Sequence, residues 1–309
     1  MLRTVLVHGV LLAALMGGPA YAQAVTEDQR SQQIEGFRDE VAALHTSGLD
    51  SGGVEFARRV SRHYETLRAH YRPMSTLTDR ELLDLFKATT TAIFYTNDAA
   101  YLPDIVAAFD LLERRGQVTE KVRSDMRSSL VRVRAFDELA GQGLAGENEV
   151  PALRQAPDLN QDMPLVIRAD GSGRPLVENY QWQKGLSVIV VYGPHCAPSK
   201  KALTAISADR ELAEFFRERA LWLMPVDDDV HVAAMKQLAM NPASSRVAVA
   251  YNRSSWPQID SWTTPMFYFF DDGTLTHVEK GWRSDTQLET LRTLVRPHVA
   301  SAEQDASQR

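Results

Sequence analysis

The chemistry that this sequence can perform centres on one cysteine, Cys196. It lies between an apolar run, Leu186–Tyr192, and a stretch with helical spacing that begins at Ser199. A thiol at a helix N-terminus faces unpaired backbone N–H groups and the positive end of the helix dipole, and both favour the thiolate. A protonated His195 next to it would add to this effect. Because the thiolate is the species that attacks disulfides, this position predicts thiol–disulfide exchange.

Ser199 stands three residues after Cys196, where a second thiol would be needed to release a bound client. A hydroxyl neither forms nor breaks an S–S bond, so we expect Ser199 to cap the helix or to donate a hydrogen bond to the sulfur. A chain with one thiol then has three options: exchange completed by a second thiol of the client, exchange completed by a small thiol, or a long-lived mixed disulfide. The alternative is an inert, buried cysteine.

The first residues predict an export signal. Arg3 is followed by an apolar run from Val5 to Met16, and Ala20-Tyr21-Ala22 has the form that a signal peptidase cleaves. The run is shorter than the roughly 20 residues of a membrane span, and no later segment is apolar enough for one. We therefore expect residues 1–22 to be a cleaved signal peptide and the product to be periplasmic, without a membrane span.

Composition limits the classes of function. Hydrophobic residues make up 44% of the chain, which is sufficient for a packed core, and the length suggests about two domains. The net charge of −6 argues against nucleic acid as a partner. The sequence has no nucleotide-binding loop, and its histidines lack the spacing of a zinc site. We therefore expect no cofactor and no metal.

Residues 26–140 have the pattern of an all-α domain. Thr78 followed by Glu81 is a capping-box signature, Arg115 before Gly116 indicates a helix end, and Thr119 is expected to cap another helix that continues to Phe136. One interpretation is a domain that only packs on its neighbour, and the other is a domain with a groove for a partner. Apolar residues recur at helical spacing in one predicted helix, which Pro73 ends: Phe56, Val60, Tyr64, Leu67 and Tyr71.

Residues 141–162 are rich in Gly, Pro, Asn and Gln and predict a linker. After them, the spacing of the apolar residues along the sequence changes. Residues 163–299 alternate between strand and helix patterns, and a polar tail at 300–309 is expected to be disordered. Strands are predicted at Met163–Arg168, Arg174–Glu178, Leu186–Tyr192, Leu221–Val226, Met266–Phe270 and Thr274–Lys280, with helices after Ser199, around Phe215, through Met235 and from about Asp285 to Val299.

This layout resembles the thioredoxin superfamily, and the leading hairpin resembles its TlpA-like branch of exported thiol–disulfide proteins. The resemblance lies in the Cys-x-x-Ser turn, in Thr264-Pro265 before a strand, and in residues 269–273 with Gly281-Trp282 beyond. It implies an α/β fold, with a thioredoxin-like C-terminal domain preceded by the all-α helical domain. It also implies that Cys196 is the nucleophile, that the Thr264–Pro265 bond is cis, and that this pair contacts the client backbone.

The sequence departs from the family at three positions. Ser199 replaces the second cysteine, His195 replaces the aromatic residue before the nucleophile, and Val190 stands where the family has an acid that assists proton transfer. Two functions follow. One is a monothiol exchanger, similar to a disulfide oxidoreductase or isomerase, whose partners are cysteine-containing clients or a small thiol. The other is a redox-silent scaffold whose helical domain docks a partner.

Two further segments have open interpretations. An acidic cluster at Asp227-Asp228-Asp229 with His231 suggests either a metal site or, as such clusters mostly do, a helix cap. The long segment Asn241–Trp262 carries Trp256 and Trp262, which either shape a client groove or pack on the sheet.

Overall fold

The computed structural model describes residues 26–144, 153–170, 172, 174–226, 232–283 and 286–307. A helical N-terminal region is followed by an eight-stranded mixed sheet with helices. The predicted signal peptide and the acidic cluster with His231 lie outside the described residues. Within the described part of the chain, no helix has the length and apolar character needed to cross a membrane.

Six α-helices and two short 3₁₀-helices form the N-terminal region over the described residues 26–144, and the helix ends follow from local signals. Thr78 and Glu81 form the predicted capping box, in which each side chain bonds the backbone of the other residue, and Thr119 caps a later helix. Gly116 adopts a φ of 68° just beyond a helix that ends at Arg114, as a C-terminal glycine should. The helices are α1 (Glu27–Thr46), α2 (Val54–Ala69), α3 (Asp79–Thr96), α4 (Leu102–Arg114), α5 (Glu120–Arg132) and α6 (Phe136–Gly141).

The core of this region consists of apolar side chains that recur along each helix at helical spacing. Tyr64 is fully buried, where its hydroxyl lies 2.6 Å from the Thr89 hydroxyl, and burial raises its pKa above the usual range. The Glu81 carboxylate is also buried and forms an ion pair with Arg30 at 2.5 Å. The predicted stripe of the second helix is part of this core: Phe56, Val60, Tyr64 and Leu67.

The C-terminal region is built on one sheet. The strands lie in the order β1-β3-β2-β6-β5-β4-β7-β8, and β4, β5 and β6 are parallel neighbours, whereas β7 pairs antiparallel with β4 and with β8. The strands are β1 (Arg154–Gln155), β2 (Leu165–Ala169), β3 (Pro175–Asn179), β4 (Leu186–Val191), β5 (Ala220–Met224), β6 (Val247–Ala250), β7 (Met266–Asp271) and β8 (Thr274–Lys280).

Four helices complete the region and pack on one face of the sheet. Residues of β4 alternate between the two faces, so that Val190 faces the helices and Ile189 faces the opposite side. That opposite side is covered by the irregular segment between β6 and β7, residues 251–265. In this segment Trp256 and Trp262 are buried against the strands. The helices are α7 (Ala197–Ala208), α8 (Arg210–Arg219), α9 (Val232–Ala239) and α10 (Thr286–Ser307).

This topology is that of a thioredoxin-like fold. A parallel β4–helix–β5 unit is followed by a crossover to the antiparallel β7–β8 hairpin and a final helix. The hairpin turns at Asp272 and Gly273, both with positive φ, as the Asp-Asp-Gly sequence predicts. The predicted fold class, an all-α region followed by a thioredoxin-like α/β region, is therefore the one observed.

Four local predictions differ from the structure. The predicted linker contains β1, which adds two residues to the edge at β3, and the predicted loop Asn241–Trp262 contains the central strand β6. The helix expected from Thr119 to Phe136 is two helices, because Arg134 adopts a left-handed φ of 59° between them. The last helix passes its expected end at Val299 and runs to Ser307, so residues 300–307 of the predicted disordered tail are helical; their Ala, Glu and Gln content favours a helix.

The two regions are joined, at the end of β6 and in the irregular segment that follows it, by arginine hydrogen bonds to backbone carbonyls. Arg134 is buried, and its guanidinium donates to the carbonyl oxygens of Ala250 and Tyr251, both at 2.9 Å. Arg253 donates to the carbonyl of Tyr95 at 3.1 Å in the reverse direction. The helical region is thus fixed to the end of β6 and to the segment that follows it.

Candidate active site

Cys196 lies at the N-terminus of α7, where the sequence predicted it. β4 ends at Val191, and a turn closes when the Cys196 N–H donates to the Gly193 carbonyl at 3.0 Å. Cys196 is the N-cap residue of α7, and Pro198 stands in the first turn, which a helix tolerates because the first N–H groups have no intrahelical acceptor. The thiol is partly buried and forms no disulfide.

The second part of the site comes from the start of β7. Val191 and Met266 are paired across the antiparallel strands, so the residues after β4 meet those before β7. The Thr264–Pro265 peptide bond is cis, as the resemblance implied. The Cys196 thiol donates to the Thr264 carbonyl oxygen at 3.1 Å. Two residues that are 68 positions apart in sequence therefore form one site.

Ser199 lies beneath the sulfur and is fully buried. Its hydroxyl accepts a hydrogen bond from the Gly193 N–H at 3.3 Å, and both its side chain and its backbone N–H interact with the Cys196 sulfur. The side-chain interaction is one of the two roles expected for Ser199; the other, capping α7, is not observed, since its hydroxyl accepts from the Gly193 N–H, which precedes the helix. Ser199 is therefore a hydrogen-bonding partner of the thiol and not a replacement for the resolving thiol.

These contacts set the acidity of the thiol. Burial of Cys196 raises its pKa, but hydrogen bonds from the side chain of Thr264 and from Ser199 lower it by more, so the net pKa lies below the ordinary value. The Thr264 carbonyl acts in the opposite direction, because it accepts a proton only from the neutral thiol. The net direction of the pKa shift is downward, so the folded protein stabilises the thiolate.

The flanking residues differ in their placement. His195 is exposed to solvent next to the thiol, and Lys200 is exposed in the first turn of α7. Val190, which the resemblance aligns with an acid, is completely buried in the apolar layer under the helices. Tyr192 is buried beside the site, and burial, then the nearby Cys196 sulfur, raises the pKa of its phenol. At neutral pH the phenol therefore keeps its proton.

Gly193 is a site residue that the sequence reasoning missed. A Cβ at this position would lie 2.7 Å from the Thr264 hydroxyl and 3.0 Å from the Cys196 Cβ, so only glycine lets the two segments approach this closely. The available signal was the Gly-Pro pair directly before His195, which marks a tight turn. Local sequence does not reveal that the turn faces Thr264.

A second concavity lies between the helical region and the segment after β6. This cleft has a volume of about 760 Å³. Trp256, Trp262 and Tyr251 line it from the sheet side, and Asn97 lines it from the C-terminal end of α3. The side-chain nitrogen and oxygen of Asn97 are buried there without a hydrogen-bond partner among the described residues. Both tryptophans also pack on the sheet, so the segment serves packing as well as shaping the cleft.

Metal-ligating side chains do not gather into a site in the described part of the molecule. Within those ranges, no cluster of three or more His, Cys, Asp or Glu side chains has the arrangement of a metal site. The acidic cluster at residues 227–229 with His231 is outside those ranges.

Comparison with known proteins leaves the function to be inferred from the site itself. No family profile and no curated protein sequence matches the chain. Among solved structures, the chain is similar to a thioredoxin-like protein from Bacteroides caccae, with 11% identity and a TM-score of 0.30 over 95% of this chain and 99% of that one. The thioredoxin-like fold of the C-terminal region is evident from its own strand order, in which the thiol after β4 meets the carbonyl of Thr264 before β7.

Proposed function

We propose that this protein is a monothiol exchanger that forms mixed disulfides with cysteine-containing client proteins or with a small thiol through Cys196. The observation that carries the proposal is the position of the sulfur: it is partly exposed, at a helix N-terminus, and held by Ser199 and Thr264 in an arrangement that lowers its pKa. An inert structural cysteine is normally buried in apolar surroundings, which raise its pKa.

The reaction conserves atoms and electrons. The Cys196 thiolate attacks one sulfur of a client disulfide, a new S–S bond forms to that sulfur, and the other client sulfur leaves as a thiolate that takes a proton from water. Ser199 and Thr264 stabilise the attacking thiolate. Release requires a second thiolate, from the client or from a small thiol, to attack the mixed disulfide and return Cys196. The sum is a disulfide exchange without net oxidation.

The other site residues have supporting roles in this proposal. The cis Thr264–Pro265 pair offers its backbone to the client beside the sulfur, and His195, exposed beside Cys196, adds positive charge when protonated. The predicted signal peptide assigns the activity to the periplasm, where client disulfides form and persist.

The testing experiment is the pH dependence of alkylation of Cys196 by iodoacetamide in the folded protein, followed by mass spectrometry. Since Cys196 is the only thiol, each added group reports this site. We expect an alkylation midpoint below about 8.5, the ordinary value for cysteine, and an adduct with oxidised glutathione under the same conditions. A midpoint at or above that value, together with slow labelling and no glutathione adduct, would contradict the proposal.

The cleft favours a second candidate function, in which the fold is a redox-silent platform and a partner docks beside the helical region. The buried amide of Asn97 offers a donor and an acceptor side by side, which fits a peptide group. Under this alternative, Cys196→Ser leaves partner binding unchanged and Asn97→Ala weakens it. Under exchange, Cys196→Ser abolishes client capture and Asn97→Ala does not.

A further inference from the structure

The loop between α1 and α2 pairs with the segment that leads into the cis-proline. The Trp262 N–H donates to the Gly52 carbonyl at 3.1 Å, and the Val54 N–H donates to the Asp260 carbonyl at 3.2 Å. Gly53 and Ser261 form an antiparallel β-bridge between these two bonds. The helical region thus adds a short strand-like stretch to the backbone that ends two residues later at Thr264.

A chain of side-chain hydrogen bonds strengthens this contact. The Ser261 hydroxyl donates to one oxygen of the Asp50 carboxylate, and the other oxygen accepts from the Gly52 N–H at 2.9 Å. Ser261 also lies 2.8 Å from the Thr263 hydroxyl and accepts from the Thr263 N–H at 3.3 Å. Asp50 therefore connects its own loop to the residue directly before Thr264.

Gly52 is the point of closest approach. A Cβ on this residue would lie 2.8 Å from the Thr263 backbone nitrogen, 3.0 Å from the Thr263 methyl group and 3.2 Å from the Trp262 carbonyl carbon. Two of these three atoms are backbone, so a side chain here displaces the Trp262–Thr263 peptide itself. Because Thr264 follows in the chain and contacts the Cys196 sulfur, that displacement reaches the thiol.

We propose that the α1–α2 loop of the helical region positions the segment before the cis-proline for Cys196, with Gly52 and Asp50 as positioning residues. The proposal rests on the proposed function, because it concerns the environment of the same thiol. It also gives the helical region a role at the site: this region sets the placement of Thr264, and through it the reactivity of the sulfur.

The charged and titratable groups around the thiol come from three elements. Tyr192 lies behind it at the end of β4, His195 stands beside it in the turn, and Lys200 lies in the first turn of α7. Asp50 and Asp260 lie where the α1–α2 loop pairs with the segment before the cis-proline, and the Asp260 carboxylate accepts from the Tyr268 hydroxyl at 2.8 Å. The variants below replace none of the first three side chains, so these groups are the same in every protein compared.

The experiment compares Gly52→Ala with Gly36→Ala, which adds the same methyl group to an exposed site in α1 with no atom within 4 Å of the new Cβ. Iodoacetamide labelling of Cys196 is followed against pH in both proteins. Loss of the hydrogen bond that the Thr264 side chain makes to the sulfur should raise the labelling midpoint of Gly52→Ala by about one pH unit, or about tenfold less thiolate at pH 7, while Gly36→Ala matches the wild type. A folded Gly52→Ala with an unchanged midpoint overturns the proposal.

A second pair covers the case in which Gly52→Ala fails to fold. Asp50→Ala removes two hydrogen bonds without adding atoms and should move the midpoint in the same direction, whereas Asp50→Asn keeps polar atoms at that position and should restore most of the wild-type curve. Equal curves for all Asp50 variants and the wild type reject the positioning role. The two failures are distinguishable, because the positioning role fails when these curves coincide, whereas the proposed function fails when the wild-type thiol forms no mixed disulfide.

Discussion

Gly193 and Thr264 are in contact because Gly193 has no side chain: a Cβ there would lie 2.7 Å from the Thr264 hydroxyl. That contact brings the turn after β4 against the residue before the cis-proline. The distance between the two segments decides whether the Cys196 sulfur reaches its hydrogen-bonding partners. The acidity of the thiol therefore depends on a residue that performs no chemistry.

The first prediction concerns Gly193→Ala. The added methyl must push Thr264 or Cys196 aside, so the hydrogen bond that lowers the thiol pKa is weakened. We expect labelling of Cys196 by iodoacetamide at pH 7 to slow by about tenfold, the change in thiolate for one pH unit. Gly141→Ala is the matched control, since its Cβ meets nothing within 4 Å. Equal labelling rates for the two variants would show that the close approach has no effect on the thiol.

The second prediction concerns Ser199→Cys, which restores a Cys-x-x-Cys sequence. Ser199 interacts with the Cys196 sulfur, so a thiol there is placed to attack a mixed disulfide on Cys196. That attack forms an internal disulfide between Cys196 and the thiol introduced at position 199, and it expels the bound thiol. We expect a glutathione adduct to persist in the wild type and to be lost within the experiment in Ser199→Cys, with free glutathione and the internal disulfide detected by mass spectrometry.

Ser207→Cys is the control for this experiment. It also adds one thiol to α7, but eleven residues from Cys196, which is about 16 Å along a helix and too far for a disulfide. Release of glutathione from Ser207→Cys at the same rate would mean that the second thiol acts between molecules.

Sequence patterns predicted the elements that depend on nearby residues. The capping box at Thr78 and Glu81, the turn at Asp272-Gly273 and the buried strand β4 each follow from a few adjacent side chains. Cys196 at a helix N-terminus belongs to the same class, since an apolar run, a proline-bearing turn and a helical spacing are all local.

These local patterns do not predict contacts between residues that are far apart in the sequence. The hydrogen bond between Ser261 and Asp50 joins residues 211 positions apart, and nothing near either residue indicates the other. β6 has four residues, all small or β-branched, within a stretch rich in loop signals, and it forms a strand because β2 and β5 supply hydrogen-bonding partners on both sides. Arg134 interrupts a helical pattern for a similar reason, because its acceptors belong to the other region.

The third prediction is a pH dependence of stability that Cys196 produces. Hydrogen bonds to the sulfur hold the folded pKa below the ordinary value of about 8.5, so the folded chain releases the thiol proton at a lower pH than the unfolded chain. In the window between the two pKa values, the free energy of unfolding of the wild type rises with pH, and it levels off above about 8.5. Below the folded pKa this contribution is absent.

The free energy of unfolding of Cys196→Ser is measured against pH in the same way. Subtracting it from the wild-type value at each pH removes the contributions of all other titrating groups. Urea unfolding at a series of pH values should give a difference that grows as the pH rises through the window. A difference that stays constant or falls with rising pH would mean that folding does not stabilise the thiolate.

The fourth prediction concerns Arg134, which joins the two regions. Arg134→Ala removes the hydrogen bonds to the Ala250 and Tyr251 carbonyls, each of the charged kind that contributes about 1.5–3 kcal/mol. We expect a loss of about 3 kcal/mol in the free energy of unfolding, at the lower end of that range for the two bonds together. Arg58→Ala is the control, because its ion pair with Glu55 is exposed and such pairs contribute about 0.5 kcal/mol or less.

The positions of the tryptophans allow the unfolding of the two regions to be compared. All five lie at or after position 182, in the thioredoxin-like region, so tryptophan fluorescence reports mainly on that region. More than half of the residues in α-helices belong to the helical region, so circular dichroism at the helical band gives that region the greater weight. We expect the urea midpoints of the two signals to separate in Arg134→Ala and to remain together in Arg58→Ala. Coincident midpoints in both variants would mean that the remaining contacts, including those of Asp50 and Gly52 with the segment before the cis-proline, couple the regions without Arg134.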